Sequence, residues 1–420
     1  MDNVPRDDRA LGRLLDAAED ASPVEAVEAV TRELADALGA TRVSFLIADL
    51  SGRSLVRLAY ATSSRDGGDR HDDEETAEEL PFDGGPREQA IRDQAVHVGP
   101  PKPGTDGWTV YAPVTERGEA LGLLEMLLPT EPTDDVLGDI VRTAHVLAFV
   151  VIANRRHTDL FEWGQRSTAF TLPAEIQRRL LPSAFTCEAG SFTLSAWLEP
   201  AASVGGDTFD YSVGRDLLHL SVTYAMGHGA ASALTATLCV ASMRNTRRHG
   251  ESLLDQAAAA NEALVAHTEG LEIEGFVTGV LGRLDLTTGT LTLVNAGHVA
   301  PYLSRAGSVT PVELPACLPL GVLGDATYEE HTLGLEPGDR LVFVTDGMLE
   351  RRAAVIDLVA EITATRDLHP RETTRRLADA VLAATGPVLA DDATLLVLDW
   401  HGDHGTRGGD RHTIGGADAT

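Results

Sequence analysis

The sequence predicts an α+β protein of two folded modules joined by a helical segment. Three observations lead there. The chain has 420 residues and a mass of 44.6 kDa, room for roughly two to three domains of ordinary size. Helical stripes and strand-like runs occur without the strict alternation of a doubly wound parallel sheet. The texture changes after Pro182, from a long helical stripe to a strand-rich half with two alanine-rich helices set together.

Residues 1–21 are highly charged and are expected to be a flexible N-terminus, frayed but with room for one short helix. Over 22–38, Val24, Val27, Val30, Leu34 and Leu38 recur at helical spacing, with Ser22 and Pro23 as a start signal. Strands are expected at 42–48 and 54–61 around the turn Asp49-Leu-Ser-Gly52. An acidic loop follows at 66–79, then a helix near 85–94 and strands at 109–114 and 120–128. From 134 to about 181 the pattern is helical again, its stripe carried by Leu137, Ile140, Val141, Ala144, Leu147, Ala148 and Val151. This segment reads as a connector helix at 156–182 and a candidate homodimer surface, or as a terminal helix with a plain linker. Beyond it, strands are expected at 192–198, 217–223, 275–286, 291–295, 340–345 and 394–398, with helices near 230–248 and 252–267. Residues 401–420 are rich in Gly, Asp and His and read as a disordered tail.

Composition narrows the function. With 34 basic and 64 acidic residues the formal net charge is −30, a field that repels nucleic-acid phosphates and anionic lipid. The short basic cluster Arg244–Arg248 is the strongest exception. Cys187, Cys239 and Cys317 show no metal-binding or disulfide-framework spacing. There is no apolar signal core near residue 1, and the longest apolar run, 146–153, is short for a membrane span. These features predict a cytoplasmic protein with no nucleic acid and no membrane among its partners.

Chemistry concentrates in the second half. Gly205-Gly-Asp-Thr-Phe-Asp210, Met226-Gly-His-Gly229, Thr345-Asp-Gly347 and Asp391-Asp-Ala-Thr394 each set glycine or aspartate at a predicted strand end. Singly they read as turns or solvated loops. Together they supply what a hard dication needs, carboxylates converging from several strands. Two such ions activate water and clamp a phosphoryl oxygen. With no nucleophile elbow, P-loop or kinase signature, the residues point to metal-dependent hydrolysis of a phosphate ester.

At these residues the sequence resembles a known family. Residues 174–400 look like the metal-dependent type 2C (PPM) protein phosphatases, in their SpoIIE/RsbU-like branch. The resemblance rests on Ile176-Gln-Arg-Arg-Leu-Leu-Pro182, Ser203-Val-Gly-Gly-Asp-Thr-Phe-Asp210, Phe276-Val-Thr278, Val294-Asn-Ala-Gly-His298, Leu335-Glu-Pro-Gly-Asp-Arg-Leu-Val-Phe-Val-Thr-Asp-Gly347 and Asp391-Asp-Ala-Thr-Leu-Leu396, in that order. It implies a phosphatase domain at 183–400 with an α-β-β-α sandwich fold. It also implies Mn²⁺ or Mg²⁺ as cofactor and a phosphorylated regulatory protein, such as an anti-sigma-factor antagonist, as substrate. Asp207, Asp346 and Asp391 correspond to the catalytic metal-site carboxylates. Gly227 joins the metal set, and Asp210, His228 and Asp392 are candidate supporting residues. Residues 22–155 resemble a GAF sensor domain, notably over Val110-Tyr-Ala-Pro-Val-Thr-Glu-Arg-Gly-Glu-Ala-Leu-Gly-Leu-Leu-Glu125, which implies a small-molecule ligand of unknown identity.

One position departs from the family pattern. Counting back from Gly227-His228-Gly229, Tyr224 stands where the resemblance implies an aspartate bridging both ions, and no acidic residue lies between Asp216 and Gly229. A neutral phenol neither holds two cations together nor lowers the pKa of a shared water. Three readings follow: a protein-serine/threonine phosphatase with an altered site, a pseudophosphatase that binds a signalling partner without turnover, and a sensor whose GAF half dominates.

Overall fold

The computed structural model describes residues 6–49, 52–62, 78–101, 107–165, 171–200, 206–227, 229–269, 275–349, 353, 356–386, 389 and 391–402. The chain divides into two compact units, one ending at residue 169 and the other covering 170–408.

In the first unit, α1 (Arg6–Asp20) and α2 (Ala26–Leu38) precede β1 (Arg42–Ala48), β2 (Ser54–Thr62) and β3 (Glu78–Pro81). Then come α3 (Pro86–Asp93), β4 (His97–Gly99), β5 (Trp108–Glu116), β6 (Glu119–Leu128), α4 (Asp134–Asn154), a 3-10 turn at Arg155–His157 and α5 (Leu160–Gly164). The strands form one antiparallel sheet in the order β3-β2-β1-β6-β5-β4. Period-two alternation gives it two apolar faces. Val43, Phe45 and Ile47 pack with Val30, Leu34, Ile140 and Leu147 of the long helices, while Leu46, Leu55, Tyr111 and Leu123 pack under Ala90 and Ile91 of α3.

The structure bears on three expectations here. Residues 6–20 are a helix, because Leu14 and Ala18 fall on one face and join the core. The stretch 156–182 is not one continuous helix. Its described residues hold the end of the 3-10 turn, the short α5 and a separate helix that begins at Leu172. Asp134–His157 is long and apolar enough to cross a membrane by length and composition. The run-length reading missed this because Arg142 and His145 interrupt the run. One face of α4 is buried in the unit's core.

The second unit opens with α6 (Leu172–Leu180), β7 (Thr186–Glu188), β8 (Phe192–Glu199), β9 (Asp207–Val213) and β10 (Leu217–Ala225). Then follow α7 (Ala230–Arg248), α8 (Leu253–Thr268), β11 (Val277–Asp285), β12 (Thr290–Ala296), β13 (Tyr302–Arg305), β14 (Ser308–Pro311) and β15 (Glu330–Gly334). It closes with β16 (Arg340–Val344), a 3-10 turn at Asp346–Met348, α9 (Leu358–Ala364), α10 (Pro370–Thr385) and β17 (Ala393–Trp400). Two antiparallel sheets run β15-β12-β11-β10-β9 and β14-β13-β16-β17-β8-β7.

Their inner faces share one core of Phe192, Phe209, Leu220, Val222, Val280, Phe343 and Leu396. On the outer face of the five-stranded sheet, α7 and α8 bury Cys239, Val240, Met243 and Leu264 against Leu281 and Val294. On the other outer face, Ile362 of α9 and Leu377 and Val381 of α10 pack on Val342, Val344 and Val397. Helix–sheet–sheet–helix layering leaves the strand ends at one edge of the sandwich free to carry polar groups. Of the tail expected at 401–420, residues 403–420 lie outside the described residues; His401 departs from that expectation, with Nε2 hydrogen-bonded to Thr193 Oγ1 at 2.8 Å.

Candidate active site

Asp207 is the first residue of β9, and alternation places it on the inner face together with Phe209. Its side chain is fully buried at 0% exposure. Oδ2 accepts hydrogen bonds from the Thr345 and Thr394 hydroxyls, both at 2.7 Å, from the opposite sheet. Thr394 N in turn donates to Thr345 Oγ1 at 3.0 Å, so β16 and β17 are tied to each other beneath the carboxylate. Asp207 Oδ1 is buried and has no hydrogen-bond partner. Burial holds the Asp207 carboxyl well above the usual range, Asp392 and Asp346 add to this, and the two threonines oppose it.

Asp346 opens the 3-10 turn after β16 and is half-buried. The glycine that follows is required by contact: a Cβ on Gly347 would collide with the Asp392 carbonyl oxygen. Asp391 is half-buried, and its Oδ1 accepts from Asp392 N at 3.0 Å. Asp392 is buried and faces α6, where Gln177 Nε2 donates to its Oδ2 at 2.6 Å and to the Asp207 carbonyl at 2.8 Å.

Tyr224 lies directly across from Asp207 in the β9–β10 ladder and from Thr278 in the β10–β11 ladder. With Leu220 and Val222 it belongs to the inward-facing set of β10. Its hydroxyl is held above the ordinary tyrosine range, first by burial and then by Asp391, Asp346, Asp207 and Asp392. A phenol so placed stays neutral. Gly227, at a φ of 105°, turns the chain toward α7, a conformation that favours glycine. His228 lies outside the described residues. On the far side of Tyr224, Thr278 Oγ1 meets His298 Nδ1 at 2.9 Å, and burial lowers that imidazole to about 4.

The structure brings Asp207, Asp346, Asp391 and Asp392 around Tyr224, and it removes Asp210. Three residues along β9, Asp210 is on the opposite face, where it takes Arg244 Nη2 at 2.8 Å and Arg247 Nη1 at 3.0 Å. It is a scaffold residue there, not a neighbour of the other carboxylates. The same contacts consume two arginines of the basic 244–248 cluster. Gln177 is a residue that motif reasoning passed over. The signal was a glutamine on the stripe that also carries the buried Ala174 and Leu180.

A cation is called for by the partnerless Asp207 oxygen and the gathered negative charge. A bridged pair of dications is not. Among the described residues no three His, Cys, Asp or Glu side chains are grouped to hold a metal ion, and a neutral tyrosine, Tyr224, stands among the carboxylates. The residues present therefore do not fit the two-ion centre of a metal phosphatase.

Residues 214–401 match the family model of stage II sporulation protein E (SpoIIE). Over 286 residues the chain is 23% identical to the phosphoserine phosphatase RsbU of Bacillus subtilis, covering 66% of this chain and 83% of that protein. A solved structure of the RsbU and RsbW domains of a Mycobacterium tuberculosis protein aligns with TM-score 0.44 and 25% identity, covering 50% of this chain and 60% of that one. The PP2C phosphatase domain of SpoIIE from Bacillus subtilis, with a fragment of its regulatory domain, aligns with TM-score 0.43 and 20% identity, covering 51% and 66% respectively.

Proposed function

We propose that this chain, whose residues 214–401 match the SpoIIE family model, is a signalling protein of the RsbU/SpoIIE phosphatase class whose hydrolytic centre is silenced. It binds a regulatory protein, of the anti-sigma-factor antagonist type or a sigma-regulatory partner, without efficient turnover. The observation that carries this reading is Tyr224, which pairs across the ladder with Asp207 and stands among the carboxylates. The reading takes Asp207, Asp346 and Asp391 as relics of the ancestral metal site, with Asp392 and Gln177 fixing their backbone. Residues 22–155 are read as a GAF-type sensor, a reading supported by the antiparallel sheet layered with α1, α2 and α4, and the chain as a cytoplasmic homodimer. A solution mass equal to one chain at high concentration removes the dimer.

The test is phosphoserine-peptide hydrolysis by the natural chain and by Tyr224→Asp, each with and without Mn²⁺. The variant is expected to exceed the natural chain by about 100-fold or more with Mn²⁺. Equal rates overturn the reading. A second reading, slow hydrolysis with a single Mn²⁺ or Mg²⁺, is favoured by the partnerless Asp207 Oδ1. It predicts a low natural rate that disappears when metal is chelated.

A further inference from the structure

Helix α4 turns one face to the core of its unit and the other to the outside. Ile140, Thr143, Ala144, Leu147, Ala148 and Val151 are buried. At 3.6 residues per turn, Asp135, Gly138, Arg142, His145, Phe149 and Ile152 fall together on the opposite side. Phe149 is 51% exposed, and the His145 ring meets it edge-on at 5.1 Å. Single apolar residues on a surface are ordinary, but a stripe of them marks a contact face. The span Asp134–His157 is apolar enough to cross a membrane. One of its faces is spent in the core, however, so it has no apolar surface all round to give to lipid.

The two ends of the outer face carry opposite charge. Asp134 and Asp135 lie exposed at its start, and Arg156 lies exposed just past its end, beside Arg155. Parallel pairing with a second copy sets like charge on like at both ends. Antiparallel pairing sets acid on base at both ends and opposes the two helix dipoles. The face is therefore complementary to itself under a two-fold axis, the symmetry of an isologous dimer.

We infer that the outer face of α4 pairs antiparallel with the same face of a second copy of this chain, about a two-fold axis near His145 and Val146. Asp135 then stands opposite Arg156 of the second copy, twice over. Gly138 meets Ala153, so small residues flank the centre. Arg142, paired with Asp139 on its own helix, lies over the Phe149 ring of the second copy. The inference rests on the homodimer reading above and supplies its surface and direction. One helix face is smaller than the ~800 Å² per partner of a standard interface, so a weak dimer is expected, with a Kd of about 10 μM.

The test is sedimentation equilibrium of the full chain from about 1 to 100 μM, on the natural protein and on Phe149→Ser, Asp135→Arg and Arg156→Asp. Each variant is expected to dimerise about tenfold more weakly. An equimolar mixture of Asp135→Arg and Arg156→Asp should regain the natural affinity, since both contacts are then between opposite charges. Thermal unfolding of each variant shows that it is folded. Parallel pairing predicts instead that neither charge reversal weakens the dimer and that the mixture exceeds the natural chain; that outcome overturns the inference. A dimer unaffected by all three substitutions also overturns it and leaves the homodimer reading standing, whereas a monomer at 100 μM removes both. Phosphatidylcholine vesicles that sediment the natural chain but not Phe149→Ser would assign the face to lipid and overturn it as well.

Discussion

Asp207 and Asp210 sit three residues apart on one strand, and their surroundings are opposite. Asp210 is saturated, with Arg244 and Arg247 donating to both of its oxygens and Arg244 also reaching the Leu180 carbonyl at 2.5 Å. Asp207 has two threonine hydroxyls on one oxygen and nothing on the other. A buried charge that is fully paired organises the scaffold. A buried charge left half-paired costs stability and is kept where something else is meant to bind. The alternation of one strand thus divides a fully paired acid from a half-paired one.

The largest effect should come from breaking the saturated member. Asp210→Ala leaves two arginines converging on a lost charge and is expected to cost about 3–5 kcal/mol in denaturant unfolding; a cost under about 1 kcal/mol contradicts the scaffold role. Gln177→Ala removes two buried hydrogen bonds, to Asp392 and to the Asp207 carbonyl, and is expected to cost about 2 kcal/mol.

Asp207→Asn should act in the opposite direction from Asp210→Ala. Because the folded Asp207 carboxyl is held above its ordinary range, its stability contribution is present at low pH and lost as pH rises. The variant should therefore gain roughly 1 kcal/mol at pH 8 and nothing below about pH 4, where both folded and unfolded chains are protonated. Destabilisation at pH 8 would mean that the carboxylate is paired after all.

The smallest effect belongs to His219, which burial, then Arg247 and Arg283, depress to about 4. Its neutral folded form costs stability as pH falls from about 6.5 toward 4, the range in which the unfolded chain takes up a proton. His219→Gln should flatten stability over that interval. An unchanged slope would assign the acid sensitivity elsewhere.

Much of the architecture was legible in the sequence because it is written in apolar alternation: β8, β10, β11, β12, β16 and β17 all fall where apolar runs place strands. β9 was not among them. Asp-Thr-Phe-Asp-Tyr-Ser-Val has no apolar run, so the motif yielded two aspartates without showing that they face opposite ways. That is why Asp210 was grouped with the site. Gln177 was hidden for a related reason, since one polar residue in an amphipathic helix signals nothing until the surface it meets is known. α10 escaped because its start is capped by His369 and Pro370 rather than by Ser, Thr, Asp or Asn. Tyr224 drew attention only through the family resemblance, counted back from Gly227-His228-Gly229; the structure sets it across from Asp207 in the β9–β10 ladder.

The most direct measurement is the stoichiometry of Mn²⁺ bound at equilibrium by the natural chain and by Tyr224→Asp. The silenced-centre proposal, which reads Tyr224 as standing in the place of a bridging carboxylate, predicts no stoichiometric ion on the natural chain and about two on the variant. Two ions held tightly by the natural chain would contradict the account.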